Sequence, residues 1–236
     1  MKKYLVIFIF LWSALSIAQE KNILYWGELI QKNVTSENSS YTHYPTIVTW
    51  KGIDGADKYE CRADCSSFIS ELIKKAYNID QDVLNHWLHK TKRAYSKDFY
   101  NNIIKENGFK KITNIKDALP GDLIAIKFPK LMDNTGHSML ISELPVEIES
   151  SKPIIEGTKQ WKVKIIDESA HGHGYSDSRY ISGNKFHTGL GTGYFRIYTD
   201  EFGEICGYCW STEAGSKYQK ADVRKIVIGR IQGEFH

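Results

Sequence analysis

The sequence predicts an α+β fold in which N-terminal helices pack on an antiparallel β-sheet. In the first half of the chain, apolar residues recur at spacings of three and four, which is the period of an amphipathic helix. The second half contains short apolar runs separated by turn residues, which is typical of consecutive strands. Because the two kinds of segment do not alternate, a parallel βαβ arrangement is not expected.

The clearest helix is predicted over residues 65–77, where apolar side chains form one stripe and Asp64 is suited to cap the N-terminus. Further helices are predicted over residues 23–32, 80–90 and 96–107. Strands are predicted after the turn at Pro120-Gly121-Asp122, over residues 123–126, 137–142, 161–167, 194–198, 205–210 and 225–231. Glycines at 189, 191 and 193 precede a strand and open no helix, so a tight turn is predicted there and a phosphate loop is not.

The first residues have the pattern of a cleavable signal peptide. Two lysines precede an apolar run from Tyr4 to Leu15, and small residues at 16–18 suit a signal peptidase. We therefore expect residues 1–18 to be removed, leaving a secreted or periplasmic protein with no stable membrane insertion. The alternative is an uncleaved membrane anchor, for which the apolar run is short.

The rest of the chain has the size of one domain. We expect residues 19–236 to form it, with residues 19–60 as an arm that wraps the core. The chain has 31 basic and 28 acidic residues, a net charge of +3, and residues 1–18 carry two of the lysines. This balance indicates neither nucleic acid nor an anionic membrane as a partner.

Four cysteines, at positions 61, 65, 206 and 209, permit two disulfides in an exported protein. Neither local pair is favoured, because the first two lie about one helical turn apart and the last two point to opposite faces of a strand. Pairing of Cys61 with Cys206 or with Cys209 stays open, as does a zinc site formed by all four.

Three side chains at core-facing positions form the candidate catalytic site. Cys65 lies on the apolar stripe of its helix, and His137 and Asp167 lie on the apolar faces of their strands. If the helix packs on this sheet, the three can meet. A helix N-terminus and a neighbouring imidazole both favour the reactive thiolate, and a third polar group orients the ring. The backbone amide of Cys65 is a candidate oxyanion donor.

The motifs that carry this chemistry occur in the order Asp64-Cys65-Ser66-Ser67-Phe68-Ile69, Pro120-Gly121-Asp122-Leu123 and Gly136-His137-Ser138-Met139-Leu140-Ile141. This order resembles the NlpC/P60 cysteine peptidases, exported papain-like bacterial enzymes that cut peptide bonds in peptidoglycan stems. The resemblance covers residues 59–167 and implies a papain-like fold, with Cys65 as nucleophile, His137 as base and Asp167 as the orienting residue. Ser67 stands where the family usually has glycine, and the third position is more often histidine.

Four residues are candidates for substrate contacts: Asp64, Ser66, His171 and Arg179. Arg179 follows the third strand in a glycine-rich loop, where it can bind a substrate carboxylate through two hydrogen bonds. A solvated loop with incidental histidines is the alternative for this segment.

Metal ligation by Asp167, His171, His173 and His187 is a further hypothesis, but the flanking glycines favour a loop over the strand that would align the rings. We therefore expect no metal and no cofactor. The sequence predicts a cysteine hydrolase that cleaves an amide bond in peptidoglycan or its peptide fragments. The alternatives are an inactive wall-binding domain of the same fold and a zinc-dependent hydrolase.

Overall fold

The computed structural model describes residues 22–89, 92–130, 134–233 and 235. The predicted signal peptide over residues 1–18 lies outside these described residues. Within them, no helix combines the length and the apolar character needed to cross a membrane.

The helices of the described chain lie in its first half: α1 (Ile23–Asn33), α2 (Cys65–Tyr77), α3 (Gln81–Trp87) and α4 (Ser96–Ile104). The predicted bounds of α2 are confirmed, and Asp64 caps it by accepting a hydrogen bond from the backbone N–H of Ser67 at 2.8 Å. Helices α3 and α4 end earlier than predicted. Each is followed within two residues by a residue with positive φ, His89 and Glu106, which redirects the chain.

Most of the described strands of the second half belong to one antiparallel sheet, which confirms the α+β class and the predicted antiparallel pairing. In spatial order its strands are β13 (Gln219–Lys220), β12 (Ile205–Cys209), β11 (Gly189–Thr199), β8 (Lys159–Ser169), β6 (Gly136–Ile141), β5 (Leu123–Lys127), β14 (Lys225–Ile231) and β4 (Phe109–Ile112). A short strand, β7 (Val146–Ile148), pairs with β8 and lies between the predicted strands over residues 137–142 and 161–167.

Alternate residues of the strands enter two separate apolar clusters. On one face, Leu140 and Ile166 pack with the apolar stripe of α2, including Phe68 and Leu72. The other cluster combines side chains from both ends of the sheet, which therefore curls around it; its members include Ile124, Ile126, Met139, Ile141, Val163, Ile165, Phe195, Tyr208 and Ile228. Burial on both faces explains why the strands read as continuous apolar runs.

Two segments differ from the prediction. The arm over residues 19–60 contains, besides α1, most of a small sheet formed by β1 (Ser39–Tyr41), β2 (Ile47–Thr49) and β3 (Glu60–Ala63). The glycines at 189, 191 and 193 form no turn, because they lie within β11 and pair with β8 along its length. A separate hairpin joins β9 (Tyr180–Ser182) and β10 (Lys185–Phe186).

Candidate active site

The candidate nucleophile is the first residue of α2. Cys65 is buried, with 4% of its surface exposed, and its Sγ lies 3.5 Å from Ser96 Oγ. Ser138 Oγ donates a hydrogen bond to Ser96 Oγ at 2.9 Å, so the hydroxyl proton of Ser96 is free to point at the sulfur. The helix N-terminus adds partial positive charge at the same place. The Ser96 hydroxyl and the helix N-terminus both favour a thiolate at this position.

The candidate base, His137, is the second residue of β6. At the preceding Gly136, φ is +146° and an added Cβ would lie 1.8 Å from the carbonyl oxygen of Ile126, so only glycine fits. His137 Nε2 lies 2.6 Å from Asp167 Oδ2, which leaves Nδ1 as the nitrogen that faces the sulfur of Cys65. His137 and Asp167 occupy the same end of two neighbouring strands.

The thiol of Cys65 and the imidazole of His137 each shift the pKa of the other. Burial opposes ionisation of Cys65, but the charge of His137 and hydrogen bonds from His137 and Ser96 outweigh it and lower the pKa of the thiol. Burial likewise opposes protonation of His137, and the charge of Cys65 with the hydrogen bond to Asp167 raises the pKa of the ring. The two shifts favour thiolate and imidazolium together.

Cys65, His137 and Asp167 meet, but not across the interface between α2 and the sheet. The stripe of α2 packs on the sheet face that carries Leu140 and Ile166, whereas His137 and Asp167 belong to the opposite face. Cys65 reaches His137 because it is the first residue of the helix and lies at the ends of the strands.

Asp167 is a buried carboxylate bound by three nitrogen-bearing side chains. Its Oδ2 is 2.6 Å from His137 Nε2 and 2.9 Å from His173 Nε2, and its Oδ1 accepts from the guanidinium of Arg179 at 2.8 Å. Burial alone would raise the pKa of this carboxyl, but the charges of Arg179 and His173 and the hydrogen bonds from both histidines hold it well below its usual range. Asp167 is therefore ionised whenever the protein is folded near neutral pH.

His173 has an acceptor at each ring nitrogen. Its Nδ1 lies 2.7 Å from the backbone carbonyl oxygen of Trp210, and a carbonyl only accepts, so Nδ1 carries a hydrogen. Donation to the Asp167 carboxylate requires a second hydrogen on Nε2. His173 thus connects the backbone carbonyl of Trp210 to Asp167 Oδ2, the same carboxylate oxygen that His137 contacts.

The glycines of β11 make room for this anchor. An added Cβ at Gly191 would lie 2.4 Å from Arg179 Nε, and one at Gly193 would lie 2.6 Å from Asp177 Oδ2. Asp177 in turn binds the guanidinium of Arg179. Close approach of the loop to the strand, and not a turn, is the physical reason for glycine at these positions.

Several residues of the site were missed by the sequence analysis. Ser96 belongs to no motif, and Ser138 belongs to the His137 motif but has no predicted role; the two meet because α4 packs near β6. Tyr41, on β1, lies beside the sulfur of Cys65. Burial, followed by the nearby charges of Cys65 and Asp64, raises the pKa of the Tyr41 hydroxyl, which therefore stays protonated. Nothing in the local sequence distinguishes it from the other tyrosines.

A neutral acid lies behind the site. The side chain of Glu168 is fully buried, and neither carboxyl oxygen has a hydrogen-bond partner among the described residues. Burial raises the pKa of this carboxyl to about 9, and the nearby charge of Asp167 adds to the effect. Consecutive residues of one strand thus hold an ionised and an un-ionised carboxyl group.

The cleft has two halves that share Tyr41, His43, Asn134 and Gly136. The aromatic half is a cavity of about 470 Å³, lined by His137 and His173 together with Phe128, His171, Gly172 and Trp210. The polar half is a cavity of about 240 Å³, lined by Cys65 and Ser96 together with Asp64, Ser66, Arg93 and Tyr95. Cys65 therefore borders the polar half and His137 borders the aromatic half. A substrate that contacts both residues must extend through both halves.

The four predicted substrate residues are placed differently. His171 is exposed and lines the aromatic half. Asp64 and Ser66 border the polar half, but both are buried and bonded to each other at 2.9 Å. The prediction for Arg179 is wrong: it lies behind Asp167, 3% exposed, and its guanidinium is occupied by Asp167 and Asp177.

All four cysteines are free thiols, so the disulfides left open by the sequence do not form. Among the described residues, the group of side chains that could hold a metal consists of His137, Asp167 and His173, whose ligand atoms lie within 4.8 Å of one another. The proposed four-cysteine set is not such a group, and His187 borders a separate cavity.

No family model matches the sequence, and no solved structure matches it. The chain is 36% identical over 223 residues to an uncharacterized protein of Acanthamoeba polyphaga mimivirus, an alignment that covers 90% of this chain and 97% of the viral protein. Identity at this level over nearly the full length of both chains shows common descent. The chain therefore belongs to the same family as this mimivirus protein.

Proposed function

We propose that this chain is a cysteine hydrolase with a papain-like, NlpC/P60-type fold, and that it cleaves an amide bond in peptidoglycan stem peptides. The observation that carries the proposal is the buried pair of Cys65 and His137, which lowers the pKa of the thiol, with Asp167 2.6 Å from the far nitrogen of the ring. A structural cysteine gains nothing from a lowered pKa, whereas a nucleophile requires it.

Acylation begins when the Cys65 thiolate attacks the carbonyl carbon of the amide. The carbonyl oxygen becomes an oxyanion, for which the Cys65 backbone amide and the Tyr41 hydroxyl are the candidate donors. The imidazolium of His137 then protonates the leaving nitrogen as the carbon–nitrogen bond breaks. The products of this step are a free amine, a thioester on Cys65 and a neutral ring.

Deacylation uses the same ring as a base. Neutral His137 takes a proton from water while the resulting hydroxide attacks the thioester carbon. The carbon–sulfur bond breaks, the carboxylic acid leaves, and the thiolate–imidazolium pair is restored. Asp167 stabilises the imidazolium and fixes the ring, since its other partners hold the carboxylate in place. No step needs a cofactor.

The proposal is tested by digestion of purified peptidoglycan sacculi, with the released fragments identified by mass. We expect wild type to release peptide fragments and Cys65→Ala to release none. Cys61→Ala is the matched control, because this thiol is buried next to Glu168 and outside the cleft. Equal release by wild type and Cys65→Ala would contradict the proposal.

A zinc-dependent hydrolase is the second candidate, because the ligand atoms of His137, Asp167 and His173 lie within 4.8 Å of one another. Those same atoms bond to each other in the ion-pair network, which favours the cysteine mechanism. Loss of digestion with a chelator, together with full activity after iodoacetamide, would favour zinc. Binding to sacculi without release of fragments would favour a non-catalytic wall-binding domain.

A further inference from the structure

The polar half of the cleft contains an ion-pair cluster beside the nucleophile. Arg93 binds Asp64 Oδ2 through its terminal nitrogen at 2.6 Å, and His43 Nδ1 lies 3.0 Å from the same oxygen. The Oδ1 atom of Asp64 is already used by the cap of α2. Two basic side chains therefore share one carboxylate oxygen one residue before Cys65.

The basic groups face the solvent and the acid does not. The side chain of His43 is 72% exposed and that of Arg93 is 32% exposed, whereas that of Asp64 is 4% exposed. Asp64 is also the sole acidic residue among those that line the polar half in the described chain. A substrate in the polar half can therefore contact the positive charge of Arg93, whereas the Asp64 carboxylate that balances this charge is buried.

Arg93 is held in a fixed orientation with donors to spare. Its Nη1 donates to the carbonyl oxygen of His43 at 2.8 Å and to Ser67 Oγ at 3.2 Å, and its guanidinium lies 4.9 Å from the centre of the Tyr95 ring. These contacts and the ion pair use three of the five N–H groups of the guanidinium. Among the described residues, His43 Nε2 also has no partner.

Among the described residues that line it, the aromatic half contains no guanidinium, and its ionisable side chains are histidines, His137 and His173 among them, and Tyr41. Of the groups that line it, no lysine, arginine, aspartate or glutamate is found among the described residues, and the walls include Phe128 and Trp210. The two halves therefore differ in their walls, since only the polar half contains a guanidinium among the described residues.

We propose that Arg93 and His43 form a carboxylate-binding subsite, so that the substrate is a peptide with a free carboxylate next to the scissile amide. This inference rests on the proposed function, because it assigns the neighbour of the bond that Cys65 attacks. Arg93 binds the carboxylate through its unused N–H groups, which a guanidinium presents in a geometry that matches two oxygens. A single fixed arginine suits one carboxylate group and not a polyanion.

The test compares two alkylating reagents of similar size on the intact protein, neutral iodoacetamide and anionic iodoacetate. In both reactions the Cys65 thiolate forms a carbon–sulfur bond and iodide leaves, so the site of addition and the second-order rate constant are measured in the same way. The iodoacetamide rate reports the thiolate, and the iodoacetate-to-iodoacetamide ratio reports the positive charge beside it. Since His137 also attracts the anion, the informative quantity is the change of this ratio between variants.

We expect Arg93→Gln to lower the ratio about fivefold, as the loss of one partly exposed ionic contact predicts. Arg93→Lys should keep most of the ratio because the charge is retained. Lys110→Gln is the matched control, since it removes one exposed positive charge from β4, away from the cleft. An unchanged ratio in Arg93→Gln, with rapid iodoacetamide labelling intact, would overturn the subsite. Slow iodoacetamide labelling of wild type would instead overturn the proposed function.

Discussion

Replacement of Asp167 by asparagine removes the charge at the centre of the network while it preserves the shape of the side chain. The carboxylate is fully buried and accepts from His137, His173 and Arg179. Loss of one partner from a buried ion pair costs about 3–5 kcal/mol, because the remaining charges stay buried. We therefore expect Asp167→Asn to lower the free energy of unfolding by about this amount in urea denaturation.

Asp167→Asn also changes which ring nitrogen of His137 carries the proton. An amide NH2 opposite His137 donates to Nε2, so the ring proton moves to Nδ1 and the nitrogen that faces Cys65 can no longer accept a proton. If the amide is flipped, its NH2 faces Arg179 and the network loses that contact instead. We expect iodoacetamide labelling of Cys65 at pH 6 to slow by about tenfold or more, and digestion of sacculi by about 10²–10⁴-fold.

Asp177→Asn is the matched control for this prediction. Asp177 is buried and binds Arg179 and the backbone N–H of His173, but it makes no contact with His137. It should reduce stability with a much smaller effect on labelling of Cys65. If folded Asp167→Asn labels at the wild-type rate and with the wild-type pH dependence, Asp167 does not orient His137.

Three further predictions follow from neighbouring side chains. Ser96→Ala removes a hydrogen bond to the Cys65 sulfur and should slow iodoacetamide labelling at pH 6 by about threefold to tenfold; an unchanged rate would exclude this contact. Gly193→Ala places a Cβ 2.6 Å from an Asp177 oxygen and should cost about 1–3 kcal/mol in urea denaturation, whereas Gly215→Ala, with open space around it, should be neutral. Glu168 has a pKa of about 9 in the folded protein and an ordinary low value when unfolded, so its contribution to stability is complete below about pH 4 and is lost as the pH rises towards 9. Glu168→Gln should therefore abolish roughly 2–4 kcal/mol of the fall in stability between pH 5 and pH 8, and a parallel pH profile for the variant would contradict a neutral acid.

Structural elements that depend only on neighbouring residues could be predicted from the sequence. The cap at Asp64, the stripe of α2 and the apolar alternation around His137 and Asp167 are properties of consecutive residues, and the structure agrees with the predicted elements. The three candidate catalytic residues could be named because each lies on an element with a clear period. The strand bounds at residues 225–231 were also predicted correctly.

Contacts between distant segments were not predictable in this way. Ser96 approaches Ser138 across 42 residues, and Leu190 binds Ser39 across 151. The prediction that Arg179 binds a substrate carboxylate fails because its buried partner Asp177, two residues earlier in the loop, gives no periodic signal in the sequence. The β11 glycines were interpreted as a turn because their packing partners lie elsewhere in the chain.

The proposed ion pair of Cys65 and His137 is tested most directly by the pH dependence of iodoacetamide labelling, with Cys65→Ala to assign the reactive thiol. A free thiol with a pKa of about 8.5 is roughly 0.3% ionised at pH 6. The ion pair predicts that Cys65 labels at pH 6 at least about tenfold faster than glutathione, with a rate that has already levelled off below pH 8. Labelling no faster than glutathione, rising with a midpoint near pH 8.5 or above, would contradict it.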